Sequence, residues 1–298
     1  MLAMTPGVTT RTELRPKAAA IGAEVSGIDL AETIDDATFA QISGAFDRHG
    51  VLVFRDQKLA PEQHIAFSRR FGPLQVNVRS EFNRPGYPEL YIVSNVLVDG
   101  KPIGSRDAGR YWHSDICYVE KPSRASLLYA HEIPMWDGVA LGDTMFASTC
   151  AAYDALPDTM KRRLEGLRAA NSYNAMYERK VQDFGLRPPL TPQARAKYPA
   201  DAIHPVVRTH PRTGRKSIYV CEGYTTHILG IPEEESRELL ANLFAQVARP
   251  EFVYRHRWRV GDLVMWDNCA TQHKVSFDYE LPLRRRLERT TVEGSVPY

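Results

Sequence analysis

Two histidines and one aspartate have the types and spacing of a metal site. His113 and Asp115 lie two positions apart in the segment Tyr-Trp-His-Ser-Asp, and His273 follows 160 residues after the first histidine. On an extended strand the side chains at i and i+2 point to one face, whereas on a helix they would diverge by about 200°. Two imidazoles and a carboxylate form the facial triad that binds Fe(II) and leaves coordination positions open. The spacing therefore makes these three residues candidate ligands of Fe(II); taken alone, it also fits a hydrogen-bonded His113 beside Trp112 and a loop histidine at position 273.

An arginine-rich segment follows the second histidine, and residues 284–291 read Arg-Arg-Arg-Leu-Glu-Arg-Thr-Thr. Strand alternation places Arg285, Leu287 and Arg289 on one face, as in the wall of a polar cavity. A guanidinium binds a planar carboxylate through two parallel hydrogen bonds, so one inward arginine can hold the distal carboxylate of a dicarboxylic cosubstrate. Arg285 and Arg289 lie about 13 Å apart along a strand, so they cannot both hold one small carboxylate end-on, and binding of two anionic groups is the alternative.

Composition and charge argue against several classes of function. The chain has 298 residues, 43% hydrophobic and 25% charged, as is usual for a soluble globular protein. The formal charge of +2, without a basic tail, argues against nucleic acid as a partner. No apolar run approaches the ~18 residues of a membrane-spanning helix, and the N-terminus lacks the apolar core of a secretory signal. The four cysteines form no Cys-x-x-Cys pair. We therefore expect a reduced, cytoplasmic enzyme or ligand-binding protein that binds no membrane.

Short strands alternate irregularly with helices along the chain. Helices are predicted from Asp35 or Asp36 to Gly50, from Pro61 to Gly72, and over 149–156, 158–167 and 232–247. Strands are predicted over 14–30, 51–54, 87–98, 111–118, 206–210, 217–221, 252–258, 263–266 and 284–292. The absence of regular strand–helix alternation favours an antiparallel β-core decorated by helices. No repeat or linker divides the chain, so we expect one domain over residues 1–298.

The stretch from Asn171 to Pro205 contains five prolines and only weak periodicity. Connections of this length without regular structure are usually functional. We therefore expect this stretch to be either mobile or a lid.

Six segments in a fixed order resemble a known enzyme family. They are QHIAFSRRFGPL (63–74), WHSD (112–115), GDTMFASTCAAYDALP (142–157), GDLVMWDN (261–268), TQH (271–273) and RRRLERTT (284–291). The set is similar to the Fe(II)/2-oxoglutarate-dependent dioxygenases of the taurine dioxygenase and 2,4-dichlorophenoxyacetate dioxygenase family. The resemblance implies a mainly β fold with inserted helices, a distorted double-stranded β-helix or cupin-like jelly roll.

The same resemblance implies a role for each site residue. The two histidines and the aspartate bind iron, Thr144 and Arg285 hold the distal carboxylate of 2-oxoglutarate, and Arg289 lies near the ligating carboxylate and the substrate anion. Which residue of Arg284–Arg286 aligns with this arginine of the family depends on a one-residue extension at Glu280. Strand alternation favours Arg285. Dioxygen is the further cosubstrate, and succinate and carbon dioxide are released.

The expected substrate is a small organic anion. Taurine enzymes of the family have a histidine where this chain has Asn77, which argues against taurine but not against another sulfonate, a sulfate ester or an aryloxyalkanoate-like carboxylate. We expect Asn77, Ile116, Tyr224 and Arg289 to contact this substrate. We also expect a homo-oligomer, either a dimer or a tetramer.

Two other functions remain open for the same residues. A zinc hydrolase can use two histidines and an aspartate to activate water, but it needs no residues for a dicarboxylate, so Arg285 and Thr144 argue against it. A catalytically silent cupin-like binding protein is the other alternative, and the intact set of three ligands argues against that.

Overall fold

The computed structural model describes residues 13–77, 79–185 and 187–298. The strands are β1 (Glu13–Pro16), β2 (Ala23–Ser26), β3 (Val51–Phe54), β4 (Asn83–Arg84), β5 (Tyr87–Ser94), β6 (Leu97–Val98), β7 (Lys101–Pro102), β8 (Ala125–Glu132), β9 (Met135–Trp136), β10 (Val139–Ala140), β11 (Thr144–Ser148), β12 (Arg168–Asn171), β13 (Ala202–Pro205), β14 (Val207–Thr209), β15 (Lys216–Ile218), β16 (Thr225–Ile228), β17 (Val253–His256), β18 (Leu263–Asp267), β19 (Thr271–Val275) and β20 (Arg286–Val292). The helices are α1 (Asp36–His49), α2 (Pro61–Arg69), α3 (Thr149–Asp154), α4 (Asp158–Leu164), α5 (Tyr173–Phe184), α6 (Pro192–Arg195) and α7 (Glu233–Val247), and single 3₁₀ turns cover Ser80–Phe82 and Pro250–Phe252. None of these helices has the length and apolarity needed to cross a membrane.

Two facing sheets position the candidate site. The larger has eight strands in the order β1-β2-β3-β18-β8-β20-β5-β4, and the smaller has the order β17-β11-β19. One apolar cluster joins the sheets: Phe146 and Tyr254 of the smaller sheet pack with Val53, Val264 and Leu287 of the larger. Strands β19 and β20 are therefore held on opposite sides of one core. This mainly β architecture agrees with the sequence prediction.

The central strands are apolar on both faces because both faces are covered. All four residues of Val51–Phe54 are buried. Leu52 and Phe54 contact Phe46 of α1 and Phe67 of α2, whereas the alternate residues face the core between the sheets. Burial of each large aliphatic or aromatic side chain contributes roughly 1.5–3 kcal/mol, so this layer fixes the strands that carry the site.

Helix α1 shows how local signals set an element. The side chain of Asp35 accepts a hydrogen bond from the backbone N–H of Thr38, and Gly50 ends the helix at φ +67°. An aspartate cap satisfies a free N–H of the first turn, and glycine adopts the left-handed conformation without a Cβ clash. The helix predicted between these residues is thus confirmed.

Residues 171–205 are more regular than the sequence predicts. Helix α5 is capped by Ser172, whose hydroxyl accepts from the backbone N–H of Ala175. The helix buries one face at spacings of three and four residues, formed by Tyr173, Met176, Tyr177 and Lys180. The periodicity is carried mainly by aromatic and amphipathic side chains instead of aliphatic ones, which is why the sequence pattern was weak.

The predicted strand over 111–118 is wrong except at its third residue. Only His113 makes a strand-like pair, an isolated bridge with His273. Asp115 begins a turn in which Ile116 has φ +57°, a conformation that is rare for a β-branched residue. The side chain of Asn268 accepts from the backbone N–H of Asp115 and takes the place of a strand partner.

Candidate metal centre and substrate cavity

The three predicted metal ligands converge. Backbone hydrogen bonds run in both directions between His113 and His273, which sets the two imidazoles side by side with ring centroids 4.0 Å apart. The Asp115 Oδ1 atom lies 3.7 Å from Nε2 of His113 and 4.0 Å from Nε2 of His273. All three side chains are at least nine-tenths buried. The structure thus brings together residues that lie 160 positions apart in the chain, as the sequence predicted.

Hydrogen bonds orient two of these ligands, His113 and Asp115, whereas Nδ1 of His273 is buried without a hydrogen-bond partner. The Nδ1–H of His113 donates to the carbonyls of Tyr111 and His273, both at 2.9 Å, which leaves its Nε2 lone pair facing Asp115. The Asp115 Oδ2 atom accepts from the hydroxyl of Ser126 at 2.6 Å, and Oδ1 accepts from Arg289 at 2.7 Å. Hydrogen bonds of this kind fix the tautomer and orientation of metal ligands.

The protonation states also suit metal binding. Burial alone would raise the pKa of Asp115, but the guanidinium of Arg289 and then the imidazoles of His273 and His113 hold that pKa well below its usual range. Burial lowers the pKa of His113 and that of His273. A charged carboxylate and two neutral imidazoles are the forms that coordinate a metal. Two nitrogens and one oxygen within 4.8 Å of one another therefore fit a facial Fe(II) site.

A second buried cluster, formed by His210, Asp267 and Cys269, has similar residue types, but its histidine is fully hydrogen-bonded within the protein. In it, His210 Nδ1 accepts from the backbone N–H groups of Arg212 and Thr213, and Nε2–H donates to Asp267 at 2.8 Å. The other carboxylate oxygen of Asp267 accepts from the backbone N–H of Cys269. Because both ring nitrogens of His210 are already paired within the protein, this histidine has no lone pair free for a metal, and its hydrogen bonds stabilise the fold.

Among the three consecutive arginines, only Arg285 is buried. Arg284 is exposed and paired with Glu132, and Arg286 is paired with Glu288. Arg285 is 2% exposed, donates from Nη2 to the carbonyl of Gly142, and has a buried Nε–H without a partner. An unpaired buried donor costs free energy, so this nitrogen is suited to an incoming carboxylate.

Thr144 lies behind the same guanidinium and is linked to it by Trp258. The Trp258 Nε1–H donates to the hydroxyl of Thr144 at 3.0 Å, and the indole ring lies against Arg285 with 5.9 Å from Cζ to the ring centroid. Trp258 was not among the site residues predicted from the sequence. It ends the predicted strand over 252–258, whose alternation of aromatic and basic residues is equally typical of core packing, and in the structure β17 already ends at His256.

One cavity opens onto two of the proposed metal ligands, His113 and Asp115, whereas His273, Thr144 and Arg285 are not part of its wall. Its wall includes Asn77, Ile116, Tyr224 and Arg289, the four residues that the sequence predicted for substrate contact. It also includes residues that were not predicted to contact substrate: Arg79, Tyr91, Tyr118, Tyr173, Met176, Lys180 and Arg187. Three of these belong to α5, whose helical periodicity is the signal that could have identified them.

Comparison with known proteins agrees with this site. The model of the taurine catabolism dioxygenase TauD, TfdA family matches residues 10–291. The alpha-ketoglutarate-dependent 2,4-dichlorophenoxyacetate dioxygenase of Cupriavidus pinatubonensis is 39% identical over 287 residues, covering 92% of this chain and 95% of the relative. The pentalenolactone F synthase of Streptomyces avermitilis is 36% identical, covering 92% and 90%. The crystal structure of AAD-2 in complex with Mn(II) and N-oxalylglycine aligns with a TM-score of 0.80 at 32% identity, covering 96% and 99%.

These findings confirm the predicted fold class and the predicted enzyme class, an oxidoreductase that depends on 2-oxoglutarate and O₂. They favour the dioxygenase over the zinc hydrolase and over the silent binding protein. Because one family model spans nearly the whole chain and its relatives cover more than nine-tenths of it, the chain belongs to the TauD, TfdA family of dioxygenases.

Proposed function

We propose that this dioxygenase uses Fe(II) to hydroxylate a small organic anion, with release of succinate and carbon dioxide. The observation that carries the proposal is the opening of one cavity, rich in arginine, lysine and tyrosine, directly onto His113 and Asp115. Bound Fe(II), together with 2-oxoglutarate and O₂, supplies the oxidising power for this reaction. The protein binds the reactants, orients them and excludes water.

The metal would be held by Nε2 of His113, Nε2 of His273 and Oδ1 of Asp115. Arg285 and Thr144 are proposed to bind the distal carboxylate of 2-oxoglutarate, since Arg285 has a buried donor without a partner. Arg289, at the metal ligands, would face the carboxylate nearest the metal. Charge-assisted contacts of this kind are strong because the site is buried.

Asn77, Ile116, Tyr224 and Arg289 are proposed to contact the substrate. The tyrosines of the wall provide apolar ring surfaces, and the basic side chains provide positive charge. This combination favours an anionic group on an aromatic or apolar body, such as an aryloxyalkanoate, a sulfate ester or a sulfonate. Residues 171–205 are proposed to act as a lid, since α5 contributes Tyr173, Met176 and Lys180 to the cavity.

We expect succinate formation to require Fe(II), 2-oxoglutarate and an anionic substrate. The measurement is succinate released on a panel of sulfonates, sulfate esters and aryloxy acids, each paired with its uncharged alcohol or ester. At least one anion should stimulate release far more than its neutral partner. Equal stimulation by neutral analogues would show that charge is not recognised, and activity with Zn(II) alone on an ester would favour a hydrolase.

We also propose a homo-oligomer, in a reducing, cytoplasmic location. The hairpin β9–β10 exposes Met135, Trp136 and Val139, with Trp136 67% exposed, and contiguous exposed apolar groups often mark protein interfaces. All four cysteines are free and buried, as is usual in a reducing compartment. Light scattering after size-exclusion chromatography should give the mass of a dimer or tetramer, and Trp136→Ser should lower it. A monomeric mass for the unaltered chain would reject this proposal.

A further inference from the structure

Three basic side chains occupy one part of the cavity wall, and nothing in the proposed metal and cosubstrate sites uses them. They are Arg79, Lys180 and Arg187, here called the basic cluster. Lys180 comes from α5 and Arg187 from the loop that follows it, whereas Arg79 comes from the loop before β4. Charged side chains are rarely buried without partners, so each member of the cluster should have an opposite charge close to it.

Arg187 is only partly satisfied. Its Nε and Nη2 donate to the carboxylate of Asp107, a buried bidentate pair. The third nitrogen, Nη1, is buried and has no hydrogen-bond partner. Arg79 donates from Nε to Glu81 at 2.9 Å, but the Glu81 side chain is 57% exposed, so solvent screens that pair.

Lys180 is the least compensated member. It is 6% exposed, and its ammonium donates to the backbone carbonyl of Asp107 at 2.8 Å. Across the part of the chain that the structure describes, no carboxylate lies within ion-pair distance of this nitrogen. An ammonium has three donors, so a single carbonyl leaves capacity for another acceptor.

The charges of the cluster therefore do not cancel. Three cations face one buried carboxylate, that of Asp107, which Arg187 already binds on both oxygens. Arg289, also in the wall, has its Nη1 2.7 Å from Oδ1 of the proposed metal ligand Asp115, although its Nε, like Nη1 of Arg187, is buried without a hydrogen-bond partner. An uncompensated buried cation is costly, and an anion bound beside it removes the cost.

We propose that the basic cluster holds the anionic group of the substrate, a carboxylate, sulfonate or sulfate, with Lys180 and Nη1 of Arg187 as its principal donors. The apolar body then lies against Tyr118, Tyr173 and Tyr224. This inference rests on the proposed function and assigns the recognition of substrate charge mainly to α5 and its following loop instead of to Arg289. Lys180 and Arg187 are therefore specificity residues and not catalytic residues.

The ionisation of Lys180 gives the cluster a pH dependence. Burial lowers the pKa of Lys180 to about 8. The carboxylate of Asp107 raises this pKa, whereas the positive charges of Arg187, Arg79 and Arg110 lower it further. Lys180 is charged below that pH and loses its charge above it. The kcat/KM for an anionic substrate, which reports the free enzyme, should therefore fall as the pH rises through 8, and should do so less in Lys180→Met.

Binding to the Fe(II)- and 2-oxoglutarate-loaded protein without O₂ tests the proposal, because no turnover occurs. Calorimetric titrations would use (2,4-dichlorophenoxy)acetate, octyl sulfate and octanesulfonate, with 2-(2,4-dichlorophenoxy)ethanol and octanol as neutral partners. For the anion that the unaltered protein binds most tightly, Lys180→Met should weaken binding roughly tenfold to a hundredfold. Lys180→Arg should restore much of the affinity, and the neutral partner should bind both variants alike.

Lys197→Met is the matched control, since it removes an exposed charge from the same 171–205 segment and should change no affinity. The visible charge-transfer band of the metal–cosubstrate complex, measured in the same samples, reports whether those sites are intact. If the unaltered protein lacks that band, the proposed function itself fails. If the band is present but Lys180→Met binds the anion normally, or if no anion binds better than its neutral partner, only the basic-cluster proposal is overturned.

Discussion

Replacing Asp115 with Asn or His113 with Ala is expected to abolish 2-oxoglutarate turnover. Each change removes one of three ligand atoms that lie within 4.8 Å of one another, and Asp115→Asn also removes the only negative charge among them. The unaltered protein with Fe(II) should develop a weak visible charge-transfer band when 2-oxoglutarate is added anaerobically. In both variants the band should be absent, bound metal should fall, and succinate release should drop below detection.

The control for this experiment is His210→Asn. His210 is as buried as His113 and also neighbours an aspartate, but its two ring nitrogens are fully paired within the protein. The variant should be less stable to heat yet retain the charge-transfer band and the metal content of its folded fraction. A band that survives in Asp115→Asn, or zinc retention with hydrolysis and no response to 2-oxoglutarate, would contradict the assignment of the metal centre.

Loss of Asp115 also leaves Arg289 buried without its carboxylate partner. Removing one member of a buried ion pair is costly, so Asp115→Asn should unfold at a lower temperature than His113→Ala. The thermal unfolding of both variants therefore separates loss of the metal from loss of the fold. His113→Ala carries the functional test if Asp115→Asn proves too unstable to purify.

Elements determined by neighbouring residues could be predicted from the sequence. The bounds of α1 follow from a cap at Asp35 and a left-handed glycine at Gly50, both of which act within one turn of the helix. The apolar run Val51–Phe54 likewise indicated a strand covered on both faces, which the structure contains. Such signals need no knowledge of the tertiary fold.

Elements determined by distant residues could not be predicted in the same way. The turn at Asp115 depends on the side chain of Asn268, which lies 153 residues further along the chain and binds the Asp115 backbone N–H. Local alternation alone therefore predicted a strand through a position where Ile116 adopts φ +57°. The convergence of His113 and Asp115 was nevertheless correct, because the turn also directs both side chains to the same point.

In the candidate site, too, local patterns identified some residues, whereas contacts between distant segments could not be predicted. Period-two alternation selected Arg285 from three adjacent arginines, and it is the one that the structure buries. The basic cluster was not identified as a unit because its three members come from two segments far apart in sequence. The tertiary fold brings them to one cavity wall, where α5 packs beside the turn that carries Ile116.

Replacing Arg285 with Ala is expected to weaken 2-oxoglutarate binding without removing the metal. The change deletes a charge-assisted, bidentate contact, and contacts of this kind are worth about 1.5–3 kcal/mol, so the dissociation constant should rise roughly tenfold to a hundredfold. The measurement is the 2-oxoglutarate dependence of the charge-transfer band in Fe(II)-loaded protein, with metal content determined separately.

Arg284→Ala is the matched control, since that guanidinium is exposed and paired with Glu132. Arg285→Lys should recover only part of the affinity, because an ammonium keeps the charge but lacks the planar pair of donors. An unchanged dissociation constant in Arg285→Ala, or an equal loss in Arg284→Ala, would remove Arg285 from the cosubstrate site and leave its buried, unpartnered Nε–H in need of another acceptor.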